Sequence, residues 1–171
     1  MNQTPHTLYK LIVLYMLNRV NFPLTRAQIS EFILEKEYTN FITLQEVFSD
    51  LTDDSYVTEE TIGNRTLLSL TEEGLQTLEY FKNRISPQIK EEIEQYLVAN
   101  RHQLKDEVSV QAQYYKVTSG EYTAELVAKD NHTPLISLSL TVPTEDIASA
   151  ICDNWRKKNQ DIYKYLIGEL F

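Results

Sequence analysis

Apolar residues recur with the helical period in four segments of the first half of the chain. The helical segments are 7–20, 26–37, 43–54 and 71–85. In each of them hydrophobic side chains fall three and four positions apart, which places them on one face of a helix. Between the third and fourth segments, residues 56–62 and 65–70 read as two strands around Gly63-Asn64, a pair typical of a two-residue hairpin turn.

Threonines stand where the second, third and fourth helices should begin. Thr25 and Thr71 precede the second and fourth helical segments, as N-cap residues do. Thr43 has Glu46 three positions later, which is the spacing of a capping box, so it is predicted to cap the third helix. This order of helices and hairpin predicts a winged helix-turn-helix domain over residues 1–86. Its second and third helices form the helix-turn-helix, and its hairpin forms the wing.

The second half of the chain changes from helical to alternating periodicity. A helix over 87–106 follows Ser86-Pro87, because proline ends one helix and suits the first turn of the next. Three segments then alternate apolar and polar residues: 108–114, 122–128 and 136–142. They predict a three-stranded antiparallel meander, and Thr144 begins a C-terminal helix that covers it. The chain is therefore predicted to be an α+β protein with a second domain at 87–171, whose first helix is a linker or dimerisation helix.

Charge, cysteine content and the length of apolar runs indicate the compartment in which the protein is expected. The 16 Lys and Arg residues against 25 Asp and Glu give a formal net charge of −9, which repels nucleic acid and anionic membranes at long range. Cys152 is the only cysteine, so no intramolecular disulfide can form and a reducing compartment is expected. The longest apolar run, residues 11–17, is too short to cross a bilayer. We therefore expect a cytoplasmic protein without a membrane segment.

The sequence contains no motif of a known catalytic or cofactor site. His6, His102 and His132 are far apart, and none has a second ligand at a metal-binding spacing. Glycine-rich phosphate loops, dinucleotide fingerprints and nucleophile elbows are absent. We therefore predict no catalytic residue, no metal and no cofactor, and do not expect an enzyme. Because catalytic groups can be assembled from distant positions, an enzyme stays a third hypothesis.

The segment after the predicted wing resembles a motif of bacterial regulators. Residues 68–78 read LSLTEEGLQTL and resemble the L-T-x-x-G-x-x-x-L stretch that follows the wing in many bacterial winged-helix regulators. Residues 41–57 likewise resemble the recognition helix of those proteins and the entry to their wing. Over nearly its whole length the chain resembles a bacterial family known only as a domain of unknown function, which joins a winged helix to a small α+β domain.

More distantly, the N-terminal half is similar to the PadR and MarR classes of transcription regulator. Those classes commonly act as dimers through helices outside the winged helix. The resemblance therefore implies a homodimer, with the helix from Ser86 to Asp106 and the C-terminal helix as the dimerisation candidates.

A winged helix-turn-helix domain favours DNA binding as the function. In DNA-binding members of this fold the third helix enters the major groove and the wing contacts the backbone or the minor groove. The candidate contact residues are Arg26, Thr43, Gln45, Glu46, Ser49 and Arg65. Side chains near the start of the third helix would reach base edges, and Glu46 would accept from a cytosine amino group. Arg65 follows the turn of the wing, and Arg26 begins the second helix, where it would meet phosphate. The first hypothesis is a transcription regulator that binds double-stranded DNA.

The third helix and the wing are acidic, which favours a second hypothesis. Between Glu37 and Asn64 there is no Lys or Arg, and the acidic residues are Glu37, Glu46, Asp50, Asp53, Asp54, Glu59 and Glu60. Duplex affinity comes largely from phosphates neutralised by basic side chains, so this segment opposes DNA binding. The basic run at 156–158 would compensate only if a dimer placed it beside the winged helix. The second hypothesis is a protein-interaction module that keeps the winged-helix scaffold and has an acidic third helix. Both hypotheses stay open.

Overall fold

The computed structural model describes residues 4–171. Within them the chain forms six α-helices and two three-stranded antiparallel sheets, which confirms the predicted α+β class. It divides into two compact units, one that ends at Val108 and one that comprises Ser109–Phe171. None of the helices in this part of the chain is long and apolar enough to cross a membrane.

The first unit combines helices with a small sheet. Its helices are α1 (Pro5–Asn18), α2 (Arg26–Glu35), α3 (Phe41–Asp53), α4 (Glu72–Phe81) and α5 (Pro87–Ser109), and a short 3-10 helix follows α4 at Lys82–Arg84. Its strands are β1 (Leu24–Thr25), β2 (Val57–Ile62) and β3 (Arg65–Leu70), in the antiparallel order β1-β3-β2. Leu24 pairs with Leu68 and Ile62 pairs with Arg65, so β3 is the central strand. The hairpin is confirmed, and β1 is a strand that the sequence pattern does not predict.

Side chains cap α2 and α4 as predicted. The Thr25 hydroxyl accepts a hydrogen bond from the Gln28 backbone N–H at 3.0 Å, and the Gln28 side chain accepts one from the Thr25 backbone at 2.9 Å. These two bonds complete a capping box at the start of α2. At α4 the Thr71 hydroxyl accepts from the Gly74 backbone N–H at 3.0 Å. Each cap satisfies donors that the first turn of a helix leaves unpaired.

The predicted cap of the third helix at Thr43 is wrong. The Asn40 side-chain oxygen accepts a hydrogen bond from the Thr43 backbone N–H at 2.9 Å, so Asn40 is the cap and α3 begins at Phe41. Asparagine ranks above threonine as a capping residue, which favours the earlier start. Phe41, Ile42 and Thr43 therefore belong to the first turn of α3 and not to the connection before it.

The core of the first unit surrounds α1. Its central residues are buried: Leu11, Ile12, Val13, Leu14, Met16 and Leu17. The predicted inner stripe of α3 is buried against the same core: Leu44, Val47, Phe48 and Leu51. Four residues of α5 also belong to it: Ile93, Leu97, Leu104 and Val108. The division between the two compact units therefore falls later in the chain than the predicted domain boundary at Ser86-Pro87.

The second unit is a meander with one helix packed on it. Its elements are β4 (Val110–Lys116), β5 (Tyr122–Asp130), β6 (Thr133–Val142) and α6 (Glu145–Leu170), and the sheet order is β4-β5-β6. Thr144 caps α6 as predicted. The small core joins helix to sheet and consists of Ala124, Leu126, Cys152 and Trp155. The Trp155 indole N–H donates to the Val127 carbonyl at 3.3 Å, which fixes α6 over β5.

Candidate functional site

The outward face of α3 carries a line of exposed side chains. Ile42, Glu46, Ser49 and Asp53 follow each other at spacings of four, three and four residues, and all are exposed. Thr43 and Gln45 lie beside this line and are half-buried. The structure therefore brings four of the six candidate contact residues together on one helix, because residues three and four apart are neighbours on a helix surface.

The first turn of α3 places two large apolar side chains in solvent. Phe41 is 59% exposed and Ile42 is 72% exposed. The sequence pattern leaves Phe41 in the connection between two helices, because the cap is predicted at Thr43. The signal that identifies both residues as helical is Asn40, whose side chain caps the helix in front of them.

The connection between α2 and α3 is anchored on α5. The Tyr38 hydroxyl donates a hydrogen bond to the Glu92 carboxylate, and the Tyr38 ring meets the Phe32 ring edge-on with centroids 5.9 Å apart. Burial and the neighbouring Glu92 raise the pKa of Tyr38 well above its ordinary value, so the phenol keeps its proton into the alkaline range. The start of α3 is therefore held close to a fixed point of the first unit.

The Arg26 side chain forms an ion pair within the first unit. Its guanidinium forms an ion pair with Glu59 on β2, in which Nε lies 3.1 Å from Oε1. It also lies over the Phe48 ring, 5.4 Å from the centroid. The same Glu59 oxygen accepts a hydrogen bond from the Thr52 hydroxyl at 3.0 Å. The charge predicted to meet a phosphate is therefore used to join α2, α3 and β2.

Arg65 lies apart from the α3 face. Its Nη1 donates to the backbone carbonyl of Glu107 at 2.8 Å, near the end of α5. The last carbonyls of a helix carry partial negative charge, so a guanidinium is favoured there. The structure therefore shows Arg65 at a helix C-terminus, while its role in binding a nucleic acid stays a prediction.

Asp50 of α3 and Asp54, the C-cap of this helix, attach α3 to α1. His6 Nε2 lies 2.7 Å from Asp50 Oδ2, and Lys10 Nζ lies 3.3 Å from the same oxygen. Lys10 also lies 3.5 Å from Asp54 Oδ2. The hydrogen bonds from His6 and Lys10 hold the pKa of Asp50 below its ordinary value. These carboxylates therefore have a structural role in the packing of α3.

The acidic side chains on the outward face have no such partner. Across residues 4–171, the ion pairs with Lys or Arg include Asp50, Asp54 and Glu59 but neither Glu46 nor Asp53. Glu46 and Asp53 are exposed on the same side of α3 as Ile42. The outward face is therefore apolar at its first turn and negative along the rest of its length.

The first unit also contains a cleft lined by acidic side chains. A cleft of about 270 Å³ lies between α2 and α5 and is lined by Glu31, Glu35, Glu107 and Tyr96 among others. Burial and these three carboxylates raise the pKa of Tyr96. Such a cleft disfavours anionic ligands. In the part of the chain that the structure describes, no three His, Cys, Asp or Glu side chains are grouped to hold a metal ion.

A comparison with known protein families identifies the family of this chain. A family model described as "Domain of unknown function (DUF4364)" matches residues 9–170. The chain belongs to the DUF4364 family. The match confirms the resemblance to a family of unknown function. The matched residues of this DUF4364 protein include the whole of α3 and the whole of the second sheet. No curated protein and no solved structure matches the chain.

Proposed function

We propose that α1 to α4 and the first sheet of this protein form a winged helix. The order α1-β1-α2-α3-β2-β3-α4 supports the proposal, since a hairpin follows three helices. The pairing of Leu24 with Leu68 supports it further, because β1 ties the hairpin to the segment between α1 and α2. In this arrangement α2 and α3 are the helix-turn-helix and β2–β3 is the wing.

We propose that the outward face of α3 binds a protein partner. The observation that carries this proposal is the exposure of Phe41 and Ile42 in the first turn of α3, where Ile42 lies one turn before Glu46. The Glu46 carboxylate has no basic partner in residues 4–171. Protein interfaces combine an apolar core, enriched in aromatic residues, with a polar rim. Phe41 and Ile42 suit the core of such an interface, and Glu46 and Asp53 suit its rim.

The charge of this face defines the chemistry of the partner. A complementary surface presents apolar side chains to the first turn of α3 and Lys or Arg side chains to Glu46 and Asp53. The net charge of −9 acts in the same direction, because it attracts a basic partner at long range. The partner is therefore expected to be a basic, amphipathic protein segment.

The same features oppose binding to a phosphate backbone. A typical DNA-binding protein neutralises roughly 6–10 phosphates with basic side chains. Arg26 is paired with Glu59, and Arg65 donates to the carbonyl of Glu107. An exposed carboxylate reads a base only where other residues hold the DNA backbone.

Site-specific photo-crosslinking tests the proposal. A photoreactive phenylalanine analogue replaces Ile42 in the full chain, which is then irradiated in an extract of its native cells. The control carries the analogue at Tyr80, which is 81% exposed on α4 of the same unit. We expect a defined protein adduct from position 42 that is absent from position 80 and is lost when Glu46→Lys is added. Identical adducts from the two positions, or adducts unchanged by Glu46→Lys, would contradict the proposal.

A DNA-binding transcription regulator is the second candidate. The observation that favours it is the grouping of Thr43, Gln45 and Ser49 on α3, the helix that enters the major groove in DNA-binding winged helices. In this case the missing positive charge would come from a dimer. This candidate predicts duplex binding that weakens steeply with salt, whereas the protein-interaction proposal predicts none.

We also propose that the protein acts in the cytoplasm. The single cysteine supports this, because Cys152 is 4% exposed in the core of the second unit. Burial raises the pKa of its thiol, which keeps it in the unreactive protonated form. Cys152 thus serves as a small apolar core residue that suits a reducing compartment.

A further inference from the structure

The sheet of the second unit has an open edge at β6. Within residues 4–171, β6 pairs with β5 alone, so the other side of the strand faces away from the sheet. The strand contains no charged residue from Thr133 to Val142. Proline and a register irregularity occur only at its beginning, where Pro134 pairs with Lys129. The segment from Leu135 to Val142 therefore lacks the features that usually keep an edge strand from pairing.

The opposite edge of the same sheet is protected. The Arg156 guanidinium of α6 donates a hydrogen bond to the backbone carbonyl of Ala112 on β4 at 3.3 Å. β4 also ends in the charged residue Lys116 and is shorter than β6. Charged side chains at an edge are a common means of preventing strand addition. The contrast between the two edges singles out β6.

The apolar side of β6 is also incompletely covered. Leu140 pairs with Ala124, so the two side chains lie on the same face of the sheet as the small core. Ala124 is fully buried, whereas Leu140 is 42% exposed. On α6, Ile147 is 43% exposed. The core of the second unit therefore ends at β6 with apolar surface still in solvent.

We propose that β6 pairs antiparallel with β6 of a second copy of this chain. The two three-stranded sheets then form one continuous six-stranded sheet across a twofold axis, which is an isologous interface. Main-chain hydrogen bonds along Leu135–Thr141 supply the contact, and the exposed Leu140 packs against apolar residues of the second copy.

The side-chain pattern of β6 is complementary to itself. An antiparallel pairing centred on Leu138 sets Leu140 opposite Ile136 of the second copy, and Ser137 opposite Ser139 of the second copy. Between positions 136 and 140, apolar residues then meet apolar residues on one face, and serines meet serines on the other. A shift of one residue in register would place apolar side chains opposite hydroxyls, so the pattern favours the self-pairing.

Charge favours a second copy over a charged peptide at this edge. Two chains of net charge −9 repel each other, and an uncharged strand is where they can approach with least repulsion. A strand without charge also offers a charged peptide no complementary group. The proposal is independent of the protein-binding role of α3, since it uses only residues of the second unit.

Sedimentation velocity on the full chain tests the pairing. The variant S137K/S139K places lysines opposite lysines across the twofold axis, and Ser119→Lys, in the exposed turn between β4 and β5, is the matched control. We expect a dimer for the wild type and for Ser119→Lys, and a dissociation constant about tenfold higher for S137K/S139K. A monomeric wild type, or a double variant that dimerises as well as the wild type, would overturn the proposal.

Two further readouts separate loss of pairing from loss of fold. Trp155 is the only tryptophan of the chain and is 1% exposed, so its emission reports the packing of the second unit. Unchanged emission in S137K/S139K is expected. Hydrogen exchange on the wild type needs no variant: the amides of Leu135–Thr141 that point away from β5 are expected to be protected. Exchange of these amides at the rate of exposed groups would overturn the proposal.

Discussion

The carboxylate of Glu59 on β2 pairs with the guanidinium of Arg26 at the start of α2. One oxygen of this carboxylate also accepts the hydrogen bond from Thr52 on α3. A single acidic side chain thus joins the first strand of the hairpin to both helices of the proposed helix-turn-helix. The pairing also neutralises a basic residue that the DNA-binding hypothesis assigns to a phosphate contact.

Removing the charge of Glu59 is expected to weaken the first unit. Glu59→Gln should lower the free energy of unfolding by about 1 kcal/mol, because it replaces a charge-assisted contact at a partly buried site. Glu46→Gln is the matched control, since Glu46 is exposed on α3. It should change the stability by less than about 0.5 kcal/mol. Urea denaturation followed by far-UV circular dichroism measures both, and equal effects would contradict the assigned role of Glu59.

The close approach of Gly74 to the segment before β2 explains the glycine of the L-T-x-x-G motif. A Cβ at position 74 would overlap the backbone carbonyl oxygen of Tyr56 and would lie 2.9 Å from Leu70 Cδ1. Gly74→Ala is therefore expected to destabilise the protein by about 2–4 kcal/mol. In Gly168→Ala the new methyl meets no atom within 4 Å, and this control should be neutral or stabilising because alanine favours helix. Thermal denaturation of the two variants measures the difference, and similar melting temperatures would refute the steric explanation.

The cap of α3 gives a direct test of where the helix starts. Asn40→Ala should lower the free energy of unfolding by about 1 kcal/mol, because it leaves the Thr43 backbone N–H without its side-chain acceptor. Thr43→Ala should cost less, because the Thr43 side chain does not cap the helix. The order of the two effects in urea denaturation decides between the two caps. A larger decrease in the free energy of unfolding for Thr43→Ala than for Asn40→Ala would instead support Thr43, the cap predicted from the sequence.

The hydrogen bond from Tyr38 to Glu92 predicts a response to alkaline pH. Because burial and Glu92 raise the pKa of Tyr38 above 10.0, the folded protein holds this proton more tightly than the unfolded chain. The resulting stabilisation is present below pH 10.0 and is lost as the pH rises through the raised pKa. Tyr38→Phe should therefore be less stable than the wild type at neutral pH, and the gap should narrow above pH 10.0. Urea denaturation over a pH series measures this, with Tyr80→Phe as the exposed control, and a gap independent of pH would contradict it.

Local sequence signals predict much of the fold. Thr25, Thr71 and Thr144 mark three helix starts that the structure confirms, and Gly63-Asn64 marks the hairpin turn. These signals work because a cap or a tight turn depends on residues a few positions apart. β1 has no such signal, since two residues show no alternation and Leu24 is a strand only through its pairing with Leu68.

The candidate site is less accessible to sequence reasoning. Thr43 and Glu46 have the spacing of a capping box, yet Asn40 three positions earlier provides the cap and brings Phe41 into the helix. The ion pair between Arg26 and Glu59 joins residues 33 positions apart, so no local pattern shows that the arginine is engaged. Exposure and long-range pairing are properties of the folded chain, and they decide which residues of α3 are available on its outward face.

Fluorescence anisotropy with a mixed-sequence DNA duplex tests most directly whether the α3 face is a protein-binding or a DNA-binding surface. The full chain is titrated into the labelled duplex from low to physiological salt, with Arg65→Ala as the matched variant. We expect no binding even at low salt, where sequence-independent attraction to phosphate is strongest. Binding that weakens steeply with salt and is reduced by Arg65→Ala would contradict the protein-binding role of α3 and establish a phosphate-contacting surface.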